Sequence, residues 1–308
     1  MQILDGALDA IGGTPVIRLR HLITDAMAEV VVKLEAANPT GSYKDRMALA
    51  MIEGAERAGR LAPGQTVVEY TGGSTGSSLA LVCAIKGYPL RIVSSDAFAE
   101  EKIRTMRAFG ADVELIHSPE GITPTLIPRM IARAQEIVAA TGGFATDQMN
   151  NADMIDGYLA MGDELADQVD GRLDAFCTYV GTAGAFLGST RALRARIPGI
   201  WRVGIEPEES AVLEGRPAGT HRIEGGGIGF RPPLWADDAA DELQSVSSDD
   251  AVAMARLAAK SEGVWGGPST GANLVVALRL AERLGPGHRV ATLQVDSGLK
   301  YLGGATYR

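Results

Sequence analysis

The sequence predicts an α/β protein built on mostly parallel β-sheets. Short runs rich in valine, isoleucine and leucine alternate with helical segments of about 10–15 residues over most of the chain, which is the pattern of βαβ units. The chain has 308 residues, of which 46% are hydrophobic and 22% are charged, so it can bury a core in one large or two medium domains. Right-handed crossovers then place the carboxyl ends of the strands at one edge of each sheet.

Strands are predicted where apolar runs lie between turn residues, and helices where apolar residues recur at helical spacing before a glycine or another stop signal. The predicted strands are 14–19, 29–34, 65–70, 90–94, 112–116, 175–180, 201–206 and 290–295. The predicted helices are 44–58, 77–86, 99–109, 124–140, 152–169, 249–262 and the segments that run from 185 to 196 and from 271 to 284. Residues 207–246 are rich in glycine and proline, and such a long loop is typical of a functional segment or an interface.

Composition excludes several classes of function. The net charge of −9 argues against a nucleic-acid partner. The two cysteines, Cys83 and Cys177, lie in apolar runs and indicate buried thiols in a reducing compartment, and the four histidines show no metal-ligand spacing. We find no signal peptide and no run of about 18 apolar residues, so we expect a cytoplasmic protein without a membrane partner.

The segment 38–46, with the sequence NPTGSYKDR, carries the first candidate catalytic residue. Asn-Pro and Thr-Gly break regular structure, and a predicted helix begins at Lys44. The positive end of a helix and burial would both lower the pKa of the Lys44 amine and make it a better nucleophile. From its position alone, a surface lysine in a loop is the alternative interpretation.

Four turns rich in glycine, serine and threonine follow strands or open helices, at 71–76, 181–185, 225–229 and 266–271. Such turns present backbone N–H groups to anions, although each one alone is more typical of a structural turn. The turn 181–185 predicts a phosphate site, but it lacks the lysine of a P-loop and the spacing of a dinucleotide fold. A lysine and a phosphate site in one fold indicate pyridoxal 5′-phosphate held as a Schiff base.

The order and spacing of these motifs over 11–302 resemble the cysteine synthase / cystathionine β-synthase family, the fold type II group of pyridoxal-phosphate enzymes in the tryptophan synthase β superfamily. The resemblance implies two three-layer αβα domains with mostly parallel twisted sheets and an active site in the cleft between them. It implies a smaller N-terminal domain at 40–148 that carries the substrate loop. The larger, phosphate-binding domain is then formed by 1–39 and 149–308. The resemblance also implies a homodimer.

The resemblance assigns roles to individual residues. Lys44 would hold the cofactor and then act as general base, and Ser269 would face the pyridine nitrogen. The implied cofactor-binding residues are Lys44, Ser74, Gly181, Thr182, Ala183, Gly184, Ala185 and Ser269. The implied substrate-binding residues are Thr71, Gly72, Gly73, Ser74, Thr75, Gln148 and Gly226, the last in a glycine-rich loop at 225–230.

Three segments depart from the family pattern. Ser74 replaces the usual asparagine, and Ala183 and Ala185 replace a glycine and a threonine of the phosphate loop. The third departure, Ala-Met-Gly at 160–162 in place of Thr-Thr-Gly, is expected near the ligand. These changes predict altered substrate scope within the same fold. We interpret His221, near the glycine-rich loop, as a surface residue, with a catalytic role as the alternative.

The expected activity is β-replacement on an O-activated L-serine through an α-aminoacrylate, with sulfide or another nucleophile as acceptor, as in a cysteine synthase of amino-acid biosynthesis. A β-eliminase or dehydratase of serine, threonine or a related amino acid is the enzymatic alternative. A pyridoxal-phosphate-binding regulatory partner is the alternative from another class.

Overall fold

The structure, a computed structural model, describes residues 3–121, 123 and 125–308. Its strands are β1 (Val16–Arg18), β2 (Glu29–Leu34), β3 (Val67–Tyr70), β4 (Leu90–Ser95), β5 (Asp112–Ile116), β6 (Phe144–Ala145), β7 (Ala175–Tyr179), β8 (Trp201–Pro207), β9 (Glu242–Val246) and β10 (Arg289–Gln294). Its α-helices are α1 (Lys44–Arg57), α2 (Ser74–Lys86), α3 (Glu100–Ala108), α4 (Leu126–Thr141), α5 (Asp153–Gln168), α6 (Gly184–Arg196), α7 (Ser248–Ser261) and α8 (Pro268–Leu284).

The strands form two sheets, which confirms the predicted α/β class. The first has the strand order β1-β2-β10-β7-β8-β9 and the second β5-β4-β3-β6. Only β1 pairs antiparallel with its neighbour among the described strands. The central strands β3, β7 and β10 are almost wholly buried, as expected for parallel strands covered by helices on both faces.

The strand order brings three of the predicted functional segments to one edge of the larger sheet. In the larger sheet β10 lies between β2 and β7, so the segments that follow these three parallel strands leave from the same edge. These segments are the lysine segment after β2, the turn 181–185 after β7 and residues 295–301 after β10. In the smaller sheet the segment after β3 is the turn at 71.

Several predicted boundaries are wrong. Helices α2, α6 and α8 begin at Ser74, Gly184 and Pro268, so much of each predicted turn is the first turn of a helix. Small residues and a proline are tolerated there, because the first N–H groups of a helix have no partner inside the helix. Strands β6 and β9 were not predicted, and β9 lies inside the predicted loop 207–246. Residue 124, the predicted start of a helix, lies outside the described residues.

No helix in the described part of the chain is long and apolar enough to cross a membrane.

Candidate active site

The lysine segment is tied to the end of β10. The backbone N–H of Tyr43 donates to the carbonyl oxygen of Val295 at 3.1 Å, and that of Ser297 donates to the carbonyl oxygen of Gly41 at 2.9 Å. Gly41 has a φ of +71°, which favours glycine, and a Cβ there would lie 3.2 Å from the Cβ of Ser297. The backbone that precedes Lys44 is therefore held rigidly against the larger sheet.

The Lys44 amine is buried without an anionic partner. The residue is 7% exposed, and its Nζ lies 3.8 Å from the sulfur of Met47 and 5.1 Å from the centre of the Tyr43 ring. No carboxylate of the described residues forms an ion pair with it. Burial lowers the pKa of Lys44 to about 8, although the charge of Glu69 acts in the opposite direction. About a tenth of the amine is then neutral at pH 7, against well under a thousandth for an ordinary lysine.

The opening of α2 presents N–H groups that can bind an anion. Thr71 follows β3, and the first-turn N–H groups from Ser74 onward have no partner within the helix, which suits an anion. The Thr75 hydroxyl donates to Oε1 of Gln148 at 2.8 Å, and Nε2 of Gln148 donates to the carbonyl oxygen of Tyr70 at 3.2 Å. Gln148 is thus brought to the substrate loop from 73 residues further along the chain.

The buried carboxyl group of Glu69 holds Gln148 next to this loop. Oε2 of Glu69 accepts hydrogen bonds from the Thr146 hydroxyl at 2.7 Å and from the Gln148 backbone N–H at 3.2 Å. Burial raises the pKa of Glu69 to about 7, although these hydrogen bonds lower it. Glu69 was not predicted from the sequence, where it is one charged residue in a strand.

The turn 181–185 has the geometry of a phosphate site. Ala183 adopts a left-handed conformation with a φ of +72°, and α6 begins at the next residue, so its free N–H groups point out of the helix end. A Cβ at Gly181 would lie 2.5 Å from the carbonyl oxygen of Gly225, which means that the glycine-rich loop closes against this turn. The only hydrogen bond of the Thr182 hydroxyl within the described residues goes to the sulfur of Met154, at 3.5 Å.

Ser269 carries a buried hydroxyl without a partner. Its Oγ makes no hydrogen bond with any described residue, although it lies in the first turn of α8. The neighbouring Thr270 hydroxyl, by contrast, accepts a hydrogen bond from the Val295 backbone N–H at 3.0 Å. A buried hydroxyl without a hydrogen-bond partner costs folding free energy unless a ligand supplies the partner, and a ring nitrogen of a cofactor would do so.

The glycine-rich loop is held by the residue that we interpreted as a surface histidine. The backbone N–H of Ile223 donates to Nδ1 of His221 at 3.3 Å, so Nδ1 accepts and the proton lies on Nε2. That Nε2 then donates to the carbonyl oxygen of Gly227 at 2.8 Å. His221 is half-buried and fixes the loop, so the surface interpretation is wrong. Gly226 packs against the end of β7, because a Cβ added to Gly226 would lie 2.5 Å from the Tyr179 ring.

The segment 160–162, which departs from the family pattern, lies in the packing between two helices. A Cβ at Gly162 would lie 2.5 Å from the carbonyl oxygen of Ser189 and 2.8 Å from the Cβ of Ala192, in the contact between α5 and α6. Residues 160–162 therefore belong to helix packing, and the expectation that they lie near the ligand is wrong. No group of three or more possible metal ligands occurs among residues 3–121, 123 and 125–308.

The residues fit pyridoxal phosphate on three independent features. A buried amine without an anionic partner, a helix N-terminus behind a left-handed residue, and an unpaired buried hydroxyl lie at the ends of neighbouring strands. These would hold the aldehyde, the phosphate and the ring nitrogen of the cofactor.

Comparison with known proteins gives consistent matches over the whole chain. The model of a family described as "Pyridoxal-phosphate dependent enzyme" matches residues 7–296. A cysteine synthase from Staphylococcus aureus is 40% identical over 306 residues, which cover 99% of this chain and 97% of that protein. A cysteine synthase structure from Entamoeba histolytica is similar with a TM-score of 0.93 at 32% identity, covering 99% of this chain and 91% of that one. The structure of an O-acetylserine dependent cystathionine β-synthase from Helicobacter pylori is similar with a TM-score of 0.92 at 33% identity, covering 100% of both chains.

Proposed function

The chain belongs to the family of pyridoxal-phosphate dependent enzymes, and on that premise we propose that it catalyses β-replacement on an O-activated L-serine, with sulfide as the acceptor. The observation that carries this proposal is the Lys44 amine, which is buried, lacks an anionic partner and has a lowered pKa at the start of α1. The similarity to cysteine synthases supports the choice of reaction within the family.

We assign four contacts to the cofactor. Lys44 would hold it at the aldehyde, the N–H groups of 181–185 would hold its phosphate, and the Ser269 hydroxyl would meet its ring nitrogen. The side chain of Ser74, at the start of α2, is the fourth proposed contact. When bound, pyridoxal phosphate supplies an electron sink next to the α-carbon of the amino acid.

The chain's own residues then position the substrate and move its proton. The N–H groups at the start of α2, together with Gln148, hold the α-carboxylate of the amino acid. Once the incoming amino acid has displaced it from the cofactor, the Lys44 amine, with its lowered pKa, would accept the α-proton near neutral pH. Because Ser269 offers a neutral hydroxyl and not a carboxylate, it does not stabilise a full positive charge on the ring nitrogen.

The test is to give the purified holoenzyme O-acetyl-L-serine and sulfide, and to follow cysteine and pyruvate. We expect cysteine as the main product, and a loss of at least about 10²-fold in rate for Lys44→Ala, because a positioned base contributes that much or more. Lys86→Ala, which removes a lysine at the far end of α2, is the matched control and should keep the rate. Pyruvate as the main product would show β-elimination in place of replacement, and an active Lys44→Ala protein would refute the assignment of the lysine.

We also propose the finer properties that the family resemblance implies. The chain forms a homodimer in a reducing compartment such as the cytoplasm, which agrees with two buried and unpaired cysteines, Cys83 and Cys177. Sedimentation of the holoenzyme at the mass of one chain would exclude the dimer.

We further propose that residues 40–148 form the smaller domain and that 1–39 and 149–308 form the larger one. The strands of the four-stranded sheet lie within 67–145, and those of the six-stranded sheet lie in 16–34 and 175–294, which supports this division. Crystal structures with and without an amino-acid ligand test whether the two parts move as separate bodies.

A further inference from the structure

Lys102 on α3 contacts three parts of the candidate site at once. Its stem covers Gly73 of the substrate loop so closely that a Cβ at Gly73 would overlap it. Its Nζ forms an ion pair with Glu224, the residue directly before the glycine-rich loop. The same Nζ lies 4.6 Å from the centre of the Tyr301 ring.

The contact with Tyr301 connects Lys102 to the residues that we propose for the cofactor. The Tyr301 hydroxyl donates to Oδ2 of Asp296 at 2.6 Å, and Oδ1 of Asp296 accepts from the Gly267 N–H at 3.1 Å. Gly267 caps α8, the helix that carries Ser269. Lys102 therefore lies where the substrate loop, the glycine-rich loop and the start of α8 meet.

The two partners of the ion pair differ strongly in their exposure. The side chain of Lys102 is 4% exposed, whereas that of Glu224 is 33% exposed. If the pair opens, Glu224 can turn towards water at small cost, because hydration replaces its partner. The Lys102 ammonium cannot do this, since it stays buried and a buried charge without a partner is strongly unfavourable. Opening is therefore most favourable when another anion takes the place of Glu224 beside Lys102.

We propose that Lys102 binds the α-carboxylate of the amino-acid substrate, and that Glu224 occupies Lys102 as an internal competitor until the substrate enters. The inference rests on the proposed function, because it concerns the substrate site of that reaction. The contact of Lys102 with Gly73 supports it, since Gly73 belongs to the loop that we assign to the same carboxylate. A carboxylate is also the group that the ammonium already holds in the structure.

A second buried lysine, Lys300, belongs to the same group of charged residues. Lys300 is 8% exposed and has no hydrogen-bond or ion-pair partner for its side chain among the described residues. Burial lowers the pKa of Lys300 and the charges of Asp296 and Asp45 raise it, whereas the charge of Lys102 lowers it.

The test is an equilibrium titration of the holoenzyme with L-serine and with L-serinamide, which lacks the carboxylate. Binding is followed by calorimetry and by the visible absorbance of the bound cofactor. For Glu224→Gln we expect serine to bind several-fold more tightly, because the competing charge is gone and the shape is kept. For Lys102→Met we expect serine to bind about tenfold more weakly, the size of one charge-assisted hydrogen bond. Serinamide should bind both variants as it binds the wild type.

The controls separate this proposal from general effects of charge. Lys86 and Glu56 form another lysine–glutamate pair, at 2.9 Å and remote from the cleft, so Lys86→Met and Glu56→Gln should change neither ligand's affinity. Lys102→Arg should restore part of the affinity for serine. If Lys102→Met does not fold, the affinity of Glu224→Gln for serine is sufficient to test the proposal.

Two results would overturn the proposal. One is an unchanged or weaker affinity of Glu224→Gln for serine. The other is an equal loss of serine and serinamide affinity in Lys102→Met, which would indicate a merely structural role. Neither measurement requires turnover. Normal binding results without formation of cysteine would therefore refute the proposed reaction and leave the assignment of Lys102 intact.

Discussion

Replacing Ala183 by glycine tests the shape of the phosphate turn. Ala183 has a φ of +72° and a ψ of −18°, a left-handed conformation that costs a residue with a Cβ roughly 1–2 kcal/mol. Glycine removes this cost. It also loses a buried methyl group, since Ala183 is 2% exposed, and that loss costs about 0.8 kcal/mol. The greater freedom of glycine in the unfolded chain costs about 0.5–1 kcal/mol more. The gains and losses nearly cancel, so Ala183→Gly should lie within about 1 kcal/mol of the wild type.

Ala185→Gly is the matched control two residues further on. Ala185 is 7% exposed and lies inside α6, and it is not among the residues with a positive φ. The substitution therefore loses a buried methyl and adds unfolded-state freedom, with no strain to relieve. We expect it to lower the free energy of unfolding by about 1.5 kcal/mol.

The assay is thermal and urea unfolding of the cofactor-free protein, with the two variants measured side by side. The difference between them should be about 1–2 kcal/mol, or roughly 2–8 °C in Tm for a chain of this size. Equal losses in the two variants would mean that Ala183 is not strained, and the reasoning about the turn would fail.

Three other substitutions test the stability and cofactor binding of the candidate site. Ser269→Ala should raise the free energy of unfolding of the cofactor-free protein by about 1 kcal/mol or more, because it removes a buried hydroxyl that has no partner among the described residues, and should weaken pyridoxal phosphate binding in an absorbance titration. Glu69→Gln should change the pH dependence of unfolding. The pKa of Glu69 is about 7 in the folded protein, against an ordinary value of 4.5. The protonated carboxyl group therefore contributes its full stabilisation of the folded state below pH 4.5, and this stabilisation is lost as the pH rises through 7. The stability of the wild type relative to Glu69→Gln should therefore fall by up to about 3 kcal/mol over that range in urea unfolding, and a constant difference would contradict the buried carboxyl. Gly181→Ala should weaken cofactor binding in the same titration, because its Cβ would lie 2.5 Å from the carbonyl oxygen of Gly225, and unchanged affinity would contradict the close approach of the two loops.

The sequence predicts most of the fold because its buried strands and amphipathic helices have strong periodicity. Strand β2 and strand β5 begin and end where predicted. The errors lie where local signals compete. Glycine, serine and proline predict turns, yet the same residues are suited to the first turn of a helix, so α2 and α8 begin earlier than expected. Strand β6 has two residues and β9 is a half-buried edge strand, and neither shows a clear alternation.

The candidate site was predicted only where its residues lie in motifs. Lys102 is one of several charged residues in a short amphipathic helix, and nothing in its neighbourhood along the chain distinguishes it. Its role depends on an ion pair with Glu224, 122 residues away. His221 and Glu69 are similar, because each acts through hydrogen bonds to a loop that the tertiary structure brings to it. Long-range pairs of this kind have no local signature.

Arg46 holds the backbone of Lys44 in position without contacting the Lys44 amine. The groups proposed for chemistry, Lys44 and Ser269, are buried without partners, which costs folding free energy. Arg46, two residues after Lys44, has the opposite property: its guanidinium donates to Glu35 at 2.7 and 3.0 Å and to Glu164 at 2.8 and 2.7 Å. Two bidentate pairs of this kind fix the start of α1 in place. The amine can therefore remain free for a ligand while its backbone is immobile, which is a physical reason for the lysine motif to extend to Arg46.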